Sequence, residues 1–175
     1  NIGGRATFQN AGRTMRDGFE LAWQHETEDH WRTQLAYTWL DARYSDTFCA
    51  AVPCTAAGLV PAGNRIPGIA PQALFASYGW VPPQGWRAGT ELRALSSIEA
   101  NDRNTVSAPG YAVVALFAGY LMQWQRWDLN AFARIDNLFD RQYIGSVIVN
   151  EGNARYYEPA PGRNWTIGMN AAYRF

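Results

Sequence analysis

Hydrophobicity in this chain repeats every second residue, and that property steers it away from helical folds. In the last stretch, Trp165, Ile167, Met169, Ala171, Tyr173 and Phe175 fall on one side, while Thr166, Gly168, Asn170, Ala172 and Arg174 fall on the other. A period of two sends successive side chains to opposite faces of a strand; a helix would need apolar residues at spacings of three and four. The pattern recurs from Met15, where Met15, Asp17, Phe19, Leu21, Trp23 and His25 alternate with Arg16, Gly18, Glu20, Ala22, Gln24 and Glu26. Next, Trp31, Thr33, Leu35, Tyr37 and Trp39 oppose Arg32, Gln34, Ala36 and Thr38. Strand-like segments follow near 71–82, 86–98, 111–124, 127–138 and 163–175, with a shorter one at about 3–10, for about eight strands in all. Segment 111–124 is apolar on both faces, so alternation alone does not fix its register.

Connection lengths sharpen the reading. Glu28-Asp29-His30, Pro83-Gln84-Gly85 and Gln125-Arg126 read as tight turns, whereas about 45–70, 99–110 and 140–162 read as long loops. Short turns on one side and long loops on the other predict an all-β fold of antiparallel transmembrane β-barrel strands, with turns at the periplasm and loops at the cell exterior. Each tight turn is bracketed by indoles: Trp23 and Trp31, Trp80 and Trp86, Trp124 and Trp127. Amphipathic rings gather at a membrane–water boundary, so these six are expected to form a girdle against outer-membrane lipid. Tyr44, Tyr111, Phe139 and Trp165, at the other strand ends, are expected to form an outer girdle.

Composition agrees. Charged residues are only 17% of the chain, below the roughly 25% of soluble domains, and aromatics reach 14%. The basic residues are all Arg and balance the acids at zero net charge, which gives no electrostatic footprint for nucleic acid. The longest apolar run, Tyr111 to Met122, falls well short of the roughly 20 residues of a helical span but suits a tilted strand of about 9–11. Cys49 and Cys54, the only cysteines, suit a disulfide in an oxidising compartment, with two free thiols as the alternative. No His lies near them, so a metal site is not expected. His25 and His30 flank the first tight turn, leaving no base for a nucleophile in the long loops. No enzyme and no cofactor are expected.

Four segments carry a family resemblance. Asp136-Asn137-Leu138-Phe139-Asp140 with Tyr143, and Pro161-Gly162-Arg163-Asn164-Trp165 leading to a terminal aromatic, resemble the closing strands of TonB-dependent receptors. Asn10-Ala11-Gly12 with Gly18-Phe19-Glu20, and Asn64-Arg65-Ile66-Pro67-Gly68, resemble segments further back in the same barrels. The resemblance implies that residues 1–175 are the C-terminal part of a barrel of about 22 strands, with the plug domain and TonB box absent from this sequence. It implies active uptake of a scarce small-molecule ligand, driven by TonB–ExbB–ExbD through the missing N-terminal part. Eight strands can also close as a small barrel, and a passive porin or structural barrel is the alternative of another class.

The stretch Gly145 to Glu151, continuing from Arg155 to Pro159, resembles the subgroup associated with pyrroloquinoline quinone uptake, a ferric-siderophore receptor being the alternative. An aromatic tricarboxylate wants bidentate Arg and stacking aromatics. Arg103, Arg155, Tyr156 and Tyr157 are the loop residues of that type, with Arg65 and Arg141 behind them. Arg134 and Asp136 are expected to face the lumen and to pair with each other's neighbours or with a plug, and Pro161 and Gly162 to serve the turn into the last strand. Tyr173 and Phe175 resemble the C-terminal signal read by the barrel-assembly machinery.

Overall fold

Alternating aromatic and β-branched residues separated by turn formers give a chain that is strand nearly throughout. The computed structural model describes residues 12–50 and 53–175. Its strands are β1 (Thr14–Glu26), β2 (Trp31–Tyr44), β3 (Phe48–Cys49), β4 (Leu59–Val60), β5 (Gln72–Trp80), β6 (Gly85–Leu95) and β7 (Ile98–Glu99). They continue as β8 (Ser107–Ala108), β9 (Tyr111–Trp124), β10 (Trp127–Asp136), β11 (Ile144–Val147), β12 (Tyr157–Pro159) and β13 (Asn164–Tyr173). One 3-10 turn, Ala56–Gly58, sits between β3 and β4. Among the described residues no helix is long and apolar enough to cross a membrane.

Seven long strands pair in the order β1-β2-β5-β6-β9-β10-β13, each antiparallel to its neighbour. Every long strand pairs with the next, as expected of an up-and-down barrel wall. The remaining short strands pair within the three long connections, β3 with β4, β7 with β8 and β11 with β12. The strand expected at about 3–10 lies outside the described residues.

Register turns the alternation into two continuous surfaces. Phe19 faces Trp39, Leu21 faces Tyr37, Tyr37 faces Leu74 and Leu74 faces Ala94. Onward, Leu92 faces Val114, Ile135 faces Leu116 and Ile135 faces Trp165. Residues directly opposite share a face, so one surface is apolar from β1 to β13. The reverse surface carries Glu20, Gln34, Ser77, Glu91, Asn130 and Asn170, the polar partners of the same ladders.

The register also resolves β9. Its pairing with β6 sets Val113, Phe117 and Leu121 opposite Arg93, Gly89 and Gly85 on the polar side. Phe117 fits there because Gly79 and Gly89 lack side chains: a Cβ on either would meet the Phe117 ring. Gly168 likewise leaves room for the ring of Phe132. Large rings over glycines fill the gaps that the missing side chains leave in a sheet.

Burial is densest at the loop end, with Gly79 and Pro82 near a tight turn and Ala115 and Gly119 along β9 also buried. Val60, Ala100, Ala108 and Ala42 are buried, while every residue of β1 is exposed. The outer girdle expected from position along the strands needs correction. Tyr44 and Tyr111 fall on the polar surface, Tyr44 buried beneath the loops and Tyr111 packed on Tyr143 at 4.2 Å between ring centres. Their parity within the strand decides the face, and closeness to the strand end does not. Trp165 does lie on the apolar surface, and Phe139 is exposed.

Candidate functional site

Charge on the polar surface is concentrated where β6, β9 and β10 lie side by side. The Arg134 guanidinium donates to Glu91 at 2.7 Å and to Asp136 at 2.8 Å, and Arg93 lies 3.6 Å from Glu91. Arg134 therefore pairs with Asp136, its neighbour along the strand, and with a carboxylate from β6. Lower on the same surface Arg87 donates to Asn130 at 3.0 Å and Ser77 to Gln34 at 3.1 Å. A cleft of about 340 Å³ opens above this group, with Glu91, Arg93, Tyr111, Arg134, Asp136 and Tyr143 among its walls. Polar groups with paired charges and two aromatic rings suit a hydrated lumen better than a dry core. Glu91 and Arg93 carry no local sequence signal beyond strand parity, and the sequence reading missed them.

Above the cleft the third long loop is fixed at its base by Asn137, which is 4% exposed. Its side chain accepts from the Arg141 amide at 2.9 Å and donates to the Arg141 carbonyl at 2.8 Å. Asn137 has φ +50° and Asp140 φ +52°, the left-handed region that Asn and Asp tolerate best among residues with a side chain. The Asp140 carboxylate accepts from the Arg163 amide at 2.8 Å, and a Cβ on Gly162 would crowd it. The motif residues Asn137, Asp140 and Gly162 thus tie the start of the loop to its end.

The three long loops meet at Asp102. Its carboxylate accepts from the Tyr44 hydroxyl at 2.7 Å and from the Asn150 amide group at 2.9 Å. Its backbone N–H donates to the Asn150 side chain at 3.0 Å, and its carbonyl accepts from the Asn64 side chain at 2.9 Å. Beside it the Asn104 side chain accepts from the Arg65 amide at 2.7 Å and donates to the Arg65 carbonyl at 2.9 Å. Backbone bonds from Gly68 to Glu99 and from Asn150 to Ala100, each 2.9 Å, join the same loops.

The expected ligand residues divide between this junction and the exposed surface. Arg103 donates to the Ala57 carbonyl at 3.0 Å, and Arg65 is held through its backbone, so both brace the first loop against the second. Arg141 is anchored at the base of the third loop. Arg155, Tyr156 and Tyr157 lie together higher in that loop, with the two rings 6.4 Å apart and the Tyr157 hydroxyl donating to the Ser107 carbonyl at 2.9 Å. Glu151 accepts from the Arg155 amide at 2.9 Å and from the Asn153 amide at 2.7 Å. Those bonds, Arg155's first, hold the Glu151 carboxyl below its usual range. In the first loop Cys49 and Cys54 form a disulfide, as the sequence suggested. Among the described residues no group of His, Cys, Asp and Glu could hold a metal ion.

At the tight-turn end all six bracketing indoles share the apolar surface. Trp31 is opposite Trp80, Trp124 opposite Trp127, and Trp86 meets Tyr120 edge-on at 5.1 Å. Trp80 donates its indole N–H to the Asp29 carbonyl at 3.0 Å, a ring with one polar end satisfied and its body exposed. Tyr173 packs on Trp127 at 5.1 Å and on Phe175 at 5.4 Å, which continues the row to the last strand.

Comparison with known proteins agrees with this geometry. A family model described as "TonB dependent receptor-like, beta-barrel" matches residues 1–138. The probable TonB-dependent siderophore receptor PiuA of Acinetobacter baumannii is 28% identical over 171 residues, covering 95% of this chain and 22% of that protein. The crystal structure of PiuA superimposes with a TM-score of 0.70 at 26% identity, over 90% of this chain and 21% of PiuA. The unliganded ferric citrate transporter FecA gives a TM-score of 0.73 at 18% identity, over 92% of this chain and 25% of FecA, and so bears on the fold alone. The chain spans between a fifth and a quarter of each of these proteins.

Proposed function

Because the chain belongs to the TonB-dependent receptor β-barrel family, we propose that it forms one wall and three outer loops of a bacterial outer-membrane receptor that imports a ferric siderophore. The observation that carries this reading is the two-sided sheet. An apolar surface with six indoles at the turn end faces lipid, and a charged surface under interlocked loops faces the cargo path. In this reading a plug domain and the segment that contacts TonB, and through it ExbB–ExbD, belong to other parts of the full-length protein. The ligand choice leans on the siderophore receptor PiuA; no relative named above favours pyrroloquinoline quinone. Arg155, Tyr156 and Tyr157 are the side chains we assign to ligand contact, with Arg141 behind them. Arg65 and Arg103 act by shaping the loop junction. Tyr173 and Phe175 serve assembly, as a terminal aromatic pair presented to the barrel-assembly machinery.

The test is equilibrium binding by the full-length receptor, with ferric siderophores and pyrroloquinoline quinone as parallel probes. Saturable binding of a ferric chelate, weakened when Arg155 and Tyr156 are both replaced by Ala, is the expected result. Binding of the quinone alone would overturn the siderophore assignment while leaving the family untouched.

A further inference from the structure

We infer that Asp102 is a positioning residue that joins the three long loops into one unit, so that they open and close together. The inference rests on the loop geometry and is independent of which ligand the receptor carries.

Asp102 uses every one of its polar groups on a partner from another loop or its supporting strand. One carboxylate oxygen takes the Tyr44 hydroxyl at the top of β2, where the first loop begins. The other takes the Asn150 amide group from the third loop. Its backbone N–H and carbonyl bind Asn150 and Asn64 in turn. A carboxylate that accepts two side-chain donors at once forms bonds of the stronger, charge-assisted kind, and Tyr44 is buried where it donates. Next to it Asn104 holds the Arg65 amide and carbonyl together in a two-point clasp. The first loop thus meets the second through Tyr44, Asn64, Arg65 and Gly68, and the third meets it through Asn150 and Tyr157. The second loop is the middle of the assembly, and Asp102 hydrogen-bonds to both neighbours. A loop moving alone would have to leave the buried Tyr44 phenol or the Asp102 carboxylate without its partner, whereas movement of all three preserves these bonds.

The test is hydrogen exchange on the full-length receptor in detergent or bilayers, followed separately in segments 61–70, 96–110 and 146–157. Asp102→Ala is expected to raise exchange in all three segments together, by about tenfold or more, with β9 and β10 unchanged. Tyr44→Phe removes one bond only and is expected to loosen segment 61–70 ahead of 146–157. The deciding variant exchanges the partners: Asp102→Asn with Asn150→Asp reverses donor and acceptor between them and leaves an acceptor for Tyr44. This double variant is expected to recover protection that Asp102→Asn alone loses. Increased exchange confined to 96–110 in Asp102→Ala, or no recovery in the double variant, would overturn the inference.

Discussion

Ile167 in the sheet is 81% exposed, whereas Val60 and Ala100 in the loops are fully buried and Asn137 is 4% exposed. A water-soluble protein would reverse that order, with its sheet forming the core and its loops solvated. Here the wall has ladder bonds along its strands and an apolar face that nothing among the described residues covers. The loops have short ribbons, Asx clasps and a disulfide, and they supply their own interior. The difference teaches that the two regions draw stability from different sources. The wall depends on its surroundings for burial, and the loop assembly depends on its internal hydrogen bonds.

The most forceful way to break that comparison is to place a charge on the wall. Ile167→Arg is expected to destabilise the bilayer-embedded receptor by roughly 2–4 kcal/mol, read from denaturant titration with heat-modifiable migration as the fold assay. Thr166→Arg, one residue away on the polar surface, is expected to cost far less. Equal effects at the two positions would refute the assignment of faces.

In the loops the largest expected loss comes from Asn137→Ala. It strands the Arg141 amide and carbonyl and removes a residue suited to positive φ, for roughly 1–3 kcal/mol. Proteolysis of the third loop should accelerate while the wall stays intact, and cleavage spreading into β9 and β10 would show the two regions to be coupled.

Breaking the Cys49–Cys54 bond acts more locally. Its short closed loop is worth about 2 kcal/mol on the chain-entropy estimate, expressed as faster cleavage within 48–60 under reductant. Intact mass should show no alkylation without reductant and two alkylated thiols with it.

The smallest effect belongs to the exposed ion pair at the start of β1. Asp46 accepts from the Arg13 guanidinium at 2.9 Å and from its amide at 3.0 Å. The side-chain bond leads in holding its carboxyl below the usual range. With the folded value depressed, the contribution is complete above the ordinary carboxylate range and fades as pH falls through the depressed value. Asp46→Asn should flatten that acid-side loosening of the β1 end in an exchange titration, and added salt should mimic it.

Much of the wall was legible in the sequence. Alternation named the two faces of β1, β2 and β13, and the indole pairs marked three tight turns. Both signals are local, since strand period and turn chemistry depend on neighbours a few residues away. The Asn137 and Gly162 motifs were legible as loop punctuation, and the spacing of Cys49 and Cys54 as a pair. The face of β9 was not legible, because its residues are apolar on both sides. Contact with Gly79 and Gly89 decides that Phe117 turns inward, and only pairing brings those glycines to it. The same limit misplaced Tyr111, whereas Tyr44 was misplaced by closeness to the strand end although its parity in β2 was legible. The junction lay further out of reach: Asp102 and Tyr44 stand 58 residues apart, and Asp102 and Asn150 stand 48 apart. An Asp or Asn in a loop carries the same local signal whether it faces water or holds two other loops. The sequence by itself determined a two-faced wall with sorted connections, because a period of two is written residue by residue. Only the tertiary structure decided which loop residues meet, because those bonds form after the strand register has brought distant segments to one end of the sheet.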